Sequence, residues 1–331
     1  NGNEALRVGL EDLNSNYEDN YWERLPIEPL KVDKLALPGV VMDPDGSPKD
    51  FEKAEEKAVK AIQRRSMLIA RQERNKQIDD AYLLLGKSRY YSKRFVQALE
   101  AFNYIILNYP NASLMQETII WQSKTQIRLQ NEEQAIQNLG LLIKHNTLEK
   151  ENREEAHTTL AMAYLETDSI QLVIHHLNQA VLTDYNPEQR ARNLFILGQL
   201  HREKSQIDSS NISFQKIVES KKAPYKYKIH ASLEKAKNST SGEEDVAILE
   251  ELNKLIKNRD NRPYLGELYY QAGMIQRSRD TEMAIENFAK SLQTSSSSFQ
   301  KGLSYEAIGN LYFDKAEFLL AGAYYDSILQ F

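Results

Sequence analysis

Apolar residues recur along this chain at helical spacing, and a fixed set of small and bulky positions returns about every 37 residues. The clearest copy occupies residues 79–112. Its marker residues fall at positions 4, 7, 8, 20, 24 and 32 of the copy and are Tyr82, Leu85, Gly86, Ala98, Phe102 and Pro110. This spacing predicts two helices joined by a turn, with small residues where the helices touch.

Three positions of this pattern can be followed through seven copies to the end of the chain. Position 8 is small each time: Gly86, Ser123, Ala161, Gly198, Ala236, Ala272 and Gly309. Position 20 is mostly small: Ala98, Ala135, Val173, Ser210, Ile248, Ala284 and Ala321. Position 24 is apolar each time: Phe102, Leu139, Leu177, Phe214, Leu252, Phe288 and Tyr325. The shared register favours a stack of helix pairs.

The first copy resembles the tetratricopeptide repeat, whose signature joins a bulky residue, Leu-Gly, a small residue, Phe and Pro. The resemblance implies an all-α fold, a right-handed α-solenoid of about seven helix pairs preceded by an N-terminal arm. The predicted repeats are 79–112, 116–149, 154–187, 191–224, 229–262, 265–298 and 302–331, the last one truncated. Repeats two and five match least well, because Gln122-Ser123 and Lys235-Ala236 replace Leu-Gly. The usual repeat has about 34 residues, so we expect the extra residues to lengthen helices or turns.

The first 78 residues follow a different pattern. Residues 1–50 predict a short helix and a Pro-rich extended arm, and residues 51–78 a lead-in helix. The arm carries too many apolar residues for a solvated linker, so we expect it to lie along the solenoid or against a partner. Ser47 and Pro48 are typical of a helix start, and the lead-in helix should run from Pro48 to about Gln77.

Composition narrows the class of protein. The net charge of −5 argues against nonspecific nucleic-acid binding as the main task. Cysteine is absent, which excludes disulfides, thiolate nucleophiles and Cys-based metal sites. No run approaches the ~18 apolar residues of a membrane span.

The candidate catalytic and metal-binding motifs each lack residues or a context that the motif requires. Gly86-Lys87-Ser88 resembles the tail of a phosphate-binding loop, but that motif needs Gly where Ala81 stands and a preceding strand. Asp43, Asp45 and Gly46 favour a turn over a calcium loop. The histidines are dispersed; His157 and His201 are interpreted as packing residues, and His175 and His176 should point to different helix faces. We therefore predict no catalytic, cofactor-binding or metal-binding residues, and no enzyme activity.

The predicted function is protein binding. In tetratricopeptide solenoids, positions 2, 5, 9 and 12 usually line the concave face. The candidate partner-binding residues on that face and on the arm are Trp22, Leu83, Tyr90, Ile120, Ile127, Phe195, Leu233, Tyr269 and Phe313. The alternative is that a tight superhelix buries these side chains against neighbouring repeats. The basic clamp that chaperone adaptors use for a C-terminal carboxylate is not evident, because Lys87, Lys124 and Lys237 at position 9 lack its Asn partners.

A second resemblance concerns the N-terminal arm. Asn1-Gly2-Asn3-Glu4-Ala5, a short helix and the segment 22–29 are similar to the start of the mature SprE/PorW lipoproteins of the type IX secretion and gliding-motility machinery of Bacteroidetes. That family has a lipidated Cys upstream of such a motif, which fits a chain trimmed after it. The resemblance implies a periplasmic, outer-membrane-associated lipoprotein that supports the secretion translocon without catalysis. It implies protein partners in the envelope, no nucleic acid, and membrane contact only through a lipid anchor upstream of residue 1.

Two other functions stay open at this point. Phe102, Asn108-Tyr109-Pro110 and Ser113 resemble envelope tetratricopeptide lipoproteins that serve outer-membrane protein assembly. A regulatory repeat domain of a larger enzyme is the third possibility. The last helix leaves Ile328, Leu329 and Phe331 uncovered, so we expect the sequence to be part of a longer protein.

Overall fold

The computed structural model describes residues 1–32, 49–69, 72–75, 77–145, 147–239 and 244–330. These residues form two compact units, Asn1–Leu200 and His201–Phe331. The first unit contains α1 (Gly2–Asn16), α2 (Lys49–Arg65), β1 (Leu68–Ile69), β2 (Gln72–Glu73), α3 (Ile78–Tyr91), α4 (Phe95–Asn108), α5 (Met115–Arg128), α6 (Glu132–His145), α7 (Lys150–Glu166), α8 (Ile170–Ala180) and most of α9 (Pro187–Glu203).

The second unit continues the pattern of antiparallel helices. It contains α10 (Ile207–Glu219), α11 (Tyr225–Lys237), α12 (Glu244–Lys257), a short 3-10 helix (Arg259–Tyr264), α13 (Leu265–Gln276), α14 (Thr281–Thr294), α15 (Ser298–Asp314) and α16 (Phe318–Ile328). In each unit, sequential helices pack together, and first helices of successive repeats also touch, as α5 and α7 do in the first unit and α11 and α13 in the second. The all-α prediction is confirmed, apart from the hairpin of two-residue strands.

A small residue facing a ring joins the two helices of a pair. A Cβ atom added to Gly86 would lie 2.4 Å from Phe102 Cε1, and one added to Gly309 would lie 2.6 Å from Tyr325 Cε1. Repeat six departs from the predicted register, because Gly273 faces Phe288 at 2.6 Å. The residue at position 8 there is thus Gly273 and not Ala272, since one position fewer separates it from its facing ring than separates Gly86 from Phe102 or Gly309 from Tyr325.

The turn between the two helices has the same backbone form in five repeats. A non-glycine residue with φ between 53° and 61° occupies position 15, and these residues are Lys93, Gln130, Asp168, Ser205 and Ala316. In the first repeat, the amide of Arg94 donates to the Arg89 carbonyl at 2.8 Å and that of Lys93 donates to Tyr90 at 2.9 Å. This is the Schellman arrangement, which satisfies the last carbonyls of the first helix.

The repeat is longer than the usual tetratricopeptide repeat partly because some of its first helices are longer. α7, α9 and α15 each have 17 residues, whereas α3 and α5 have 14. The extra residues therefore add about one helical turn to these three helices.

The lead-in helix is shorter than predicted. Its predicted start at Pro48 lies outside the described residues, as do Asp43, Asp45 and Gly46, and α2 ends at Arg65 instead of Gln77. β1 and β2 then pair as an antiparallel hairpin. The Glu73 carboxylate accepts from the amides of Met67 and Asn75, and the Asn75 side chain donates to the Arg65 carbonyl at 2.9 Å. These polar contacts terminate α2 and redirect the chain into α3.

α1 and α2 cover the outer end of the first repeat. Leu6, Phe51 and Ala54 form their buried contact, and a Cβ atom added to Gly9 would lie 2.7 Å from the Phe51 ring. The chain between the two helices begins with residues 17–32, which form no helix or strand. We call these residues the arm.

Two glycines in the first two repeats provide a matched test of the register. Gly86→Leu should overpack against Phe102 and lower stability by roughly 1–3 kcal/mol, and Phe102→Ala should cost roughly 3–5 kcal/mol through the cavity it leaves. Nothing lies within 4 Å of a Cβ atom added to Gly140 in α6, so Gly140→Ala should stabilise the helix by roughly 0.5–1 kcal/mol. Chemical denaturation measures all three; an unchanged Gly86→Leu midpoint would show that the helix-pair contact is wrongly assigned.

Candidate functional site: the groove that holds the arm

The arm lies in the groove formed by the first helices of the first unit. The side chain of Gln199 bonds two backbone groups of the arm: its Oε1 accepts from the Leu25 amide at 3.0 Å, and its Nε2 donates to the Glu23 carbonyl at 2.8 Å. Gln189 Nε2 donates to the Ile27 carbonyl at 3.2 Å. α9 thus holds this irregular segment through its main chain. Of the two expected positions, along the solenoid or against a partner, the described residues of the arm take the first.

An ion pair fixes the start of the arm. Arg192 Nη2 lies 2.8 Å from Asp19 Oδ2, and both side chains are 3% exposed. Arg192 Nη1 also donates to the Pro26 carbonyl at 3.0 Å, and its guanidinium lies 5.9 Å from the centre of the Tyr17 ring. Arg192 therefore contacts a carboxylate, a backbone carbonyl and an aromatic ring of the arm at the same time.

A carboxylate clamp holds the other end of the arm. Arg128 Nη2 and the Tyr90 hydroxyl each donate to Glu28 Oε2 at 2.5 Å, and Arg128 Nε donates to the Tyr90 oxygen at 3.1 Å. Lys124 Nζ lies 3.6 Å from Glu28 Oε1 and also pairs with Glu155. Glu28 thus bonds side chains of α3 and α5, and Lys124 extends the network to Glu155 on α7.

Electrostatics keep the clamp charged. Burial alone would raise the pKa of the Glu28 carboxyl, but the charges of Lys124 and Arg128 and the hydrogen bond from Tyr90 outweigh it and lower this pKa to about 2. Burial, together with the Glu28 charge and hydrogen bond, raises the pKa of the Tyr90 hydroxyl, while Arg128 opposes that shift. The site therefore holds a carboxylate against a neutral phenol at physiological pH.

Apolar side chains of the arm complete the contact. Leu25, Ile27 and Leu30 are buried. Leu30 joins a cluster with Leu83, Tyr90 and residues of α4. The Tyr21 ring meets Phe195 edge-on, with the ring centres 5.2 Å apart. The arm thus contributes to the hydrophobic core of the first unit.

The nine predicted partner-binding residues divide into three groups. Leu83, Tyr90 and Phe195 do line the groove, but they are buried and their neighbours include arm residues. Ile120 packs between α5, α6 and α7, and Leu233 between α11, α12 and α13; Ile127 is also buried. The remaining three keep accessible surface and are Trp22, Tyr269 and Phe313.

For six of these residues, Leu83, Tyr90, Ile120, Ile127, Phe195 and Leu233, the structure shows the burial that was the alternative to a free apolar surface. A side chain such as Tyr90 or Phe195, each 0% exposed, offers no area to a partner while the arm is in place. Position 5 points to the helix-pair core in repeats two and five, where the sequence match was weakest. Trp22, Tyr269 and Phe313 stay candidates, and Phe313 is 55% exposed with its ring centre 5.3 Å from that of Phe318.

The polar residues of the groove were not singled out by sequence reasoning. Lys124 was noted at position 9, but its partners Arg128 and Glu28 were not. Arg192 and Gln199 occupy positions 2 and 9 of repeat four, which the tetratricopeptide pattern directs to the concave face. Attention to polar as well as apolar residues at those positions would have found them.

The motifs that sequence reasoning set aside have structural roles. Lys87 pairs with Glu117 and lies 5.3 Å from the centre of the Trp121 ring, and Ser88 Oγ donates to the Leu84 carbonyl. In the described parts of the chain, no group of three or more His, Cys, Asp or Glu side chains could hold a metal ion. No helix there is long and apolar enough to cross a membrane.

Two histidines form a pair between α7 and α8. His157 Nδ1 lies 3.0 Å from His176 Nδ1, and Tyr164 stacks on the His176 ring with centres 5.4 Å apart. Burial is the main cause that lowers the pKa of each imidazole to about 4. The next cause is the charge of His175 for His157 and the charge of His157 for His176. Both rings are therefore neutral at pH 7, and one donates to the other.

Comparison with known proteins agrees with this architecture. The family model of the tetratricopeptide repeat matches residues 80–112. The C-terminal part of a repeat-containing protein from Cytophaga hutchinsonii is 13% identical, with a TM-score of 0.54, and the match covers 74% of this chain and 91% of that one. A tetratricopeptide repeat protein from Parabacteroides merdae is 15% identical, with a TM-score of 0.48, and the match covers 76% and 92%. No curated protein sequence matches the chain. The family match to one repeat and the likeness to the Cytophaga hutchinsonii structure show that the chain has the fold of a tetratricopeptide-repeat solenoid.

The clamp generates a stability prediction. Glu28→Ala leaves Lys124 and Arg128 facing each other across a buried site, and it should cost about 3 kcal/mol in the free energy of unfolding. Glu18→Ala, at an exposed acid of the same arm, should change it by no more than about 0.5 kcal/mol. Urea denaturation gives both values. Equal effects of the two substitutions would contradict the clamp.

The histidine pair generates a pH prediction. The folded pKa values near 4 lie below the ordinary value of 6.5, so the unfolded chain binds more protons between these limits. The pair's full contribution to stability is present above pH 6.5 and is lost as the pH falls toward 4. His157→Gln should reduce the slope of melting temperature against pH in this window, whereas His145→Gln, at an exposed site, should not. A slope that His157→Gln leaves unchanged would contradict the assignment.

Proposed function

We propose that this protein is a non-catalytic interaction scaffold of the bacterial cell envelope that supports the type IX secretion translocon and gliding motility. The observation that carries its binding role is the groove itself. Side chains of α9 hold a non-helical segment by its main chain, and the clamp holds one carboxylate of that segment. A surface built in this way is suited to bind protein segments.

The arm supports the envelope role of the proposal. The resemblance to the SprE/PorW lipoproteins rests on residues 1–5, the short helix, the segment 22–29 and the repeat array, and segment 22–29 includes residues that the groove buries. Leu25 and Ile27 are 1% and 3% exposed. The resemblance covers the N-terminal arm specifically and the repeats only generically. In this proposal the protein is periplasmic and is anchored to the outer membrane by a lipid upstream of residue 1.

Exposed apolar side chains are the proposed contact points for envelope partners. Phe313 on α15 and Phe318, which is 61% exposed on α16, meet as an aromatic pair in the second unit. Aromatic anchors of this kind contribute much of the binding energy in protein interfaces. Trp22 and Tyr269 are the other accessible candidates.

The test is cross-linking mass spectrometry on native envelopes that contain the tagged full-length protein. We expect cross-links to outer-membrane translocon components, and Phe313→Ser should lower their recovery about tenfold, which corresponds to about 1.4 kcal/mol. Leu107→Ser is the matched control, because Leu107 is 79% exposed on α4. Both variants should melt like the wild type. Cross-links only to unrelated envelope proteins would exclude the translocon role.

A further inference from the structure

The groove contacts the arm partly through main-chain groups, which any segment of the same conformation offers. Gln199, Gln189 and Arg192 bond four main-chain groups of the arm, those of Glu23, Leu25, Pro26 and Ile27. Because these contacts do not depend on side-chain identity, another segment of the same conformation could make them.

Side-chain selection comes from the Asp19 pair with Arg192 and from three sites further along the arm. Leu25 and Ile27 fill buried apolar positions, and Glu28 enters the clamp of Lys124, Arg128 and Tyr90. Pro26 and Pro29 flank these residues and fix φ, so the segment loses little conformational entropy when it binds. The preferred sequence is an apolar residue, Pro, an apolar residue and an acid.

The described part of the arm does not fill the groove. A cavity of about 260 Å³ lies between α1, the arm and the groove helices. Its lining residues from the groove include Lys124, Glu155, Thr158, Met162 and Arg192. Of these lining residues, Lys124 and Arg192 already pair with Glu28 and Asp19 of the arm, and Glu155 pairs with Lys124.

We infer that this groove is the binding site for an extended, acidic segment of a partner protein, and that the arm is its intramolecular competitor. The inference rests on the proposed function, since it assumes that the protein binds protein segments. The arm is tethered, so its effective concentration in the groove is on the order of millimolar. A partner segment can bind only those molecules whose groove is free of the arm. Its apparent affinity is therefore lower than its intrinsic affinity, in proportion to that free fraction.

The experiment measures binding of a fluorescein-labelled peptide with the sequence of residues 17–32 to the full chain by fluorescence anisotropy. Glu28→Lys places a third cation in the clamp and should release the arm from it. This variant should bind the peptide at least about tenfold more tightly than the wild type. A peptide that carries Lys at the position of Glu28 should not bind. Glu18→Lys, a charge reversal at an exposed site of the arm, should leave the affinity of the chain at the wild-type value.

A second measurement covers the case in which Glu28→Lys does not fold. Excess unlabelled peptide added to the wild type should accelerate hydrogen exchange at the Leu25 amide, which the Gln199 side chain protects. No acceleration, or a folded Glu28→Lys chain that fails to bind the peptide, would show that the arm is a fixed part of the core. The cross-linking experiment would then be the only remaining support for the scaffold role. A concentration-dependent dimer in light scattering, dissociated by the peptide, would identify a second copy's arm as the occupant and overturn the partner assignment.

Discussion

The close approach of two helices at a small residue is the constraint on which the rest of the structure depends. Where Gly86 meets Phe102 and Gly309 meets Tyr325, a single methyl group would fall inside the van der Waals distance of the ring. This contact sets the distance between the two helices of a pair. The first helices of successive repeats consequently lie side by side. Tyr90, Lys124 and Arg128, which are 62 to 100 positions from Glu28 in the chain, therefore contact the same carboxylate.

The arm shows how that surface combines affinity with register. Its apolar residues would fit a hydrophobic groove in several registers. The Glu28 carboxylate, in contrast, can be buried only where Lys124, Arg128 and the Tyr90 hydroxyl contact it. The Asp19 pair with Arg192 and the Glu28 clamp sit at opposite ends of the bound segment. A shift by one residue would leave four charges unmatched in a site of low dielectric. Polar contacts thus select one alignment, while burial of Leu25 and Ile27 supplies much of the attraction.

Sequence reasoning recovered the helix pairs because their contacts are local and periodic. Gly86 and Phe102 lie on the two helices of one repeat, on either side of a single inter-helix turn, and their residue types recur in later repeats. It misplaced the register of repeat six by one residue, because Ala272 and Gly273 are both small and the pattern does not show which of them faces Phe288. It extended α2 to Gln77, since the Glu73 and Asn75 contacts that end the helix have no periodic signature. The clamp was out of reach, because a charge pair between Glu28 and Arg128 depends on how distant segments meet and not on spacing along the chain.

The left-handed residue in five of the inter-helix turns has a consequence for how this protein could be adjusted. A side chain at Lys93, Gln130, Asp168, Ser205 or Ala316 occupies a backbone region that costs about 1 kcal/mol relative to glycine. In a repeat array, stability is close to a sum of local contributions. The five turns are therefore independent adjustment points, each outside the contacts that hold the arm. Selection or design could raise or lower the melting order of individual repeats through them while the recognition chemistry stays the same.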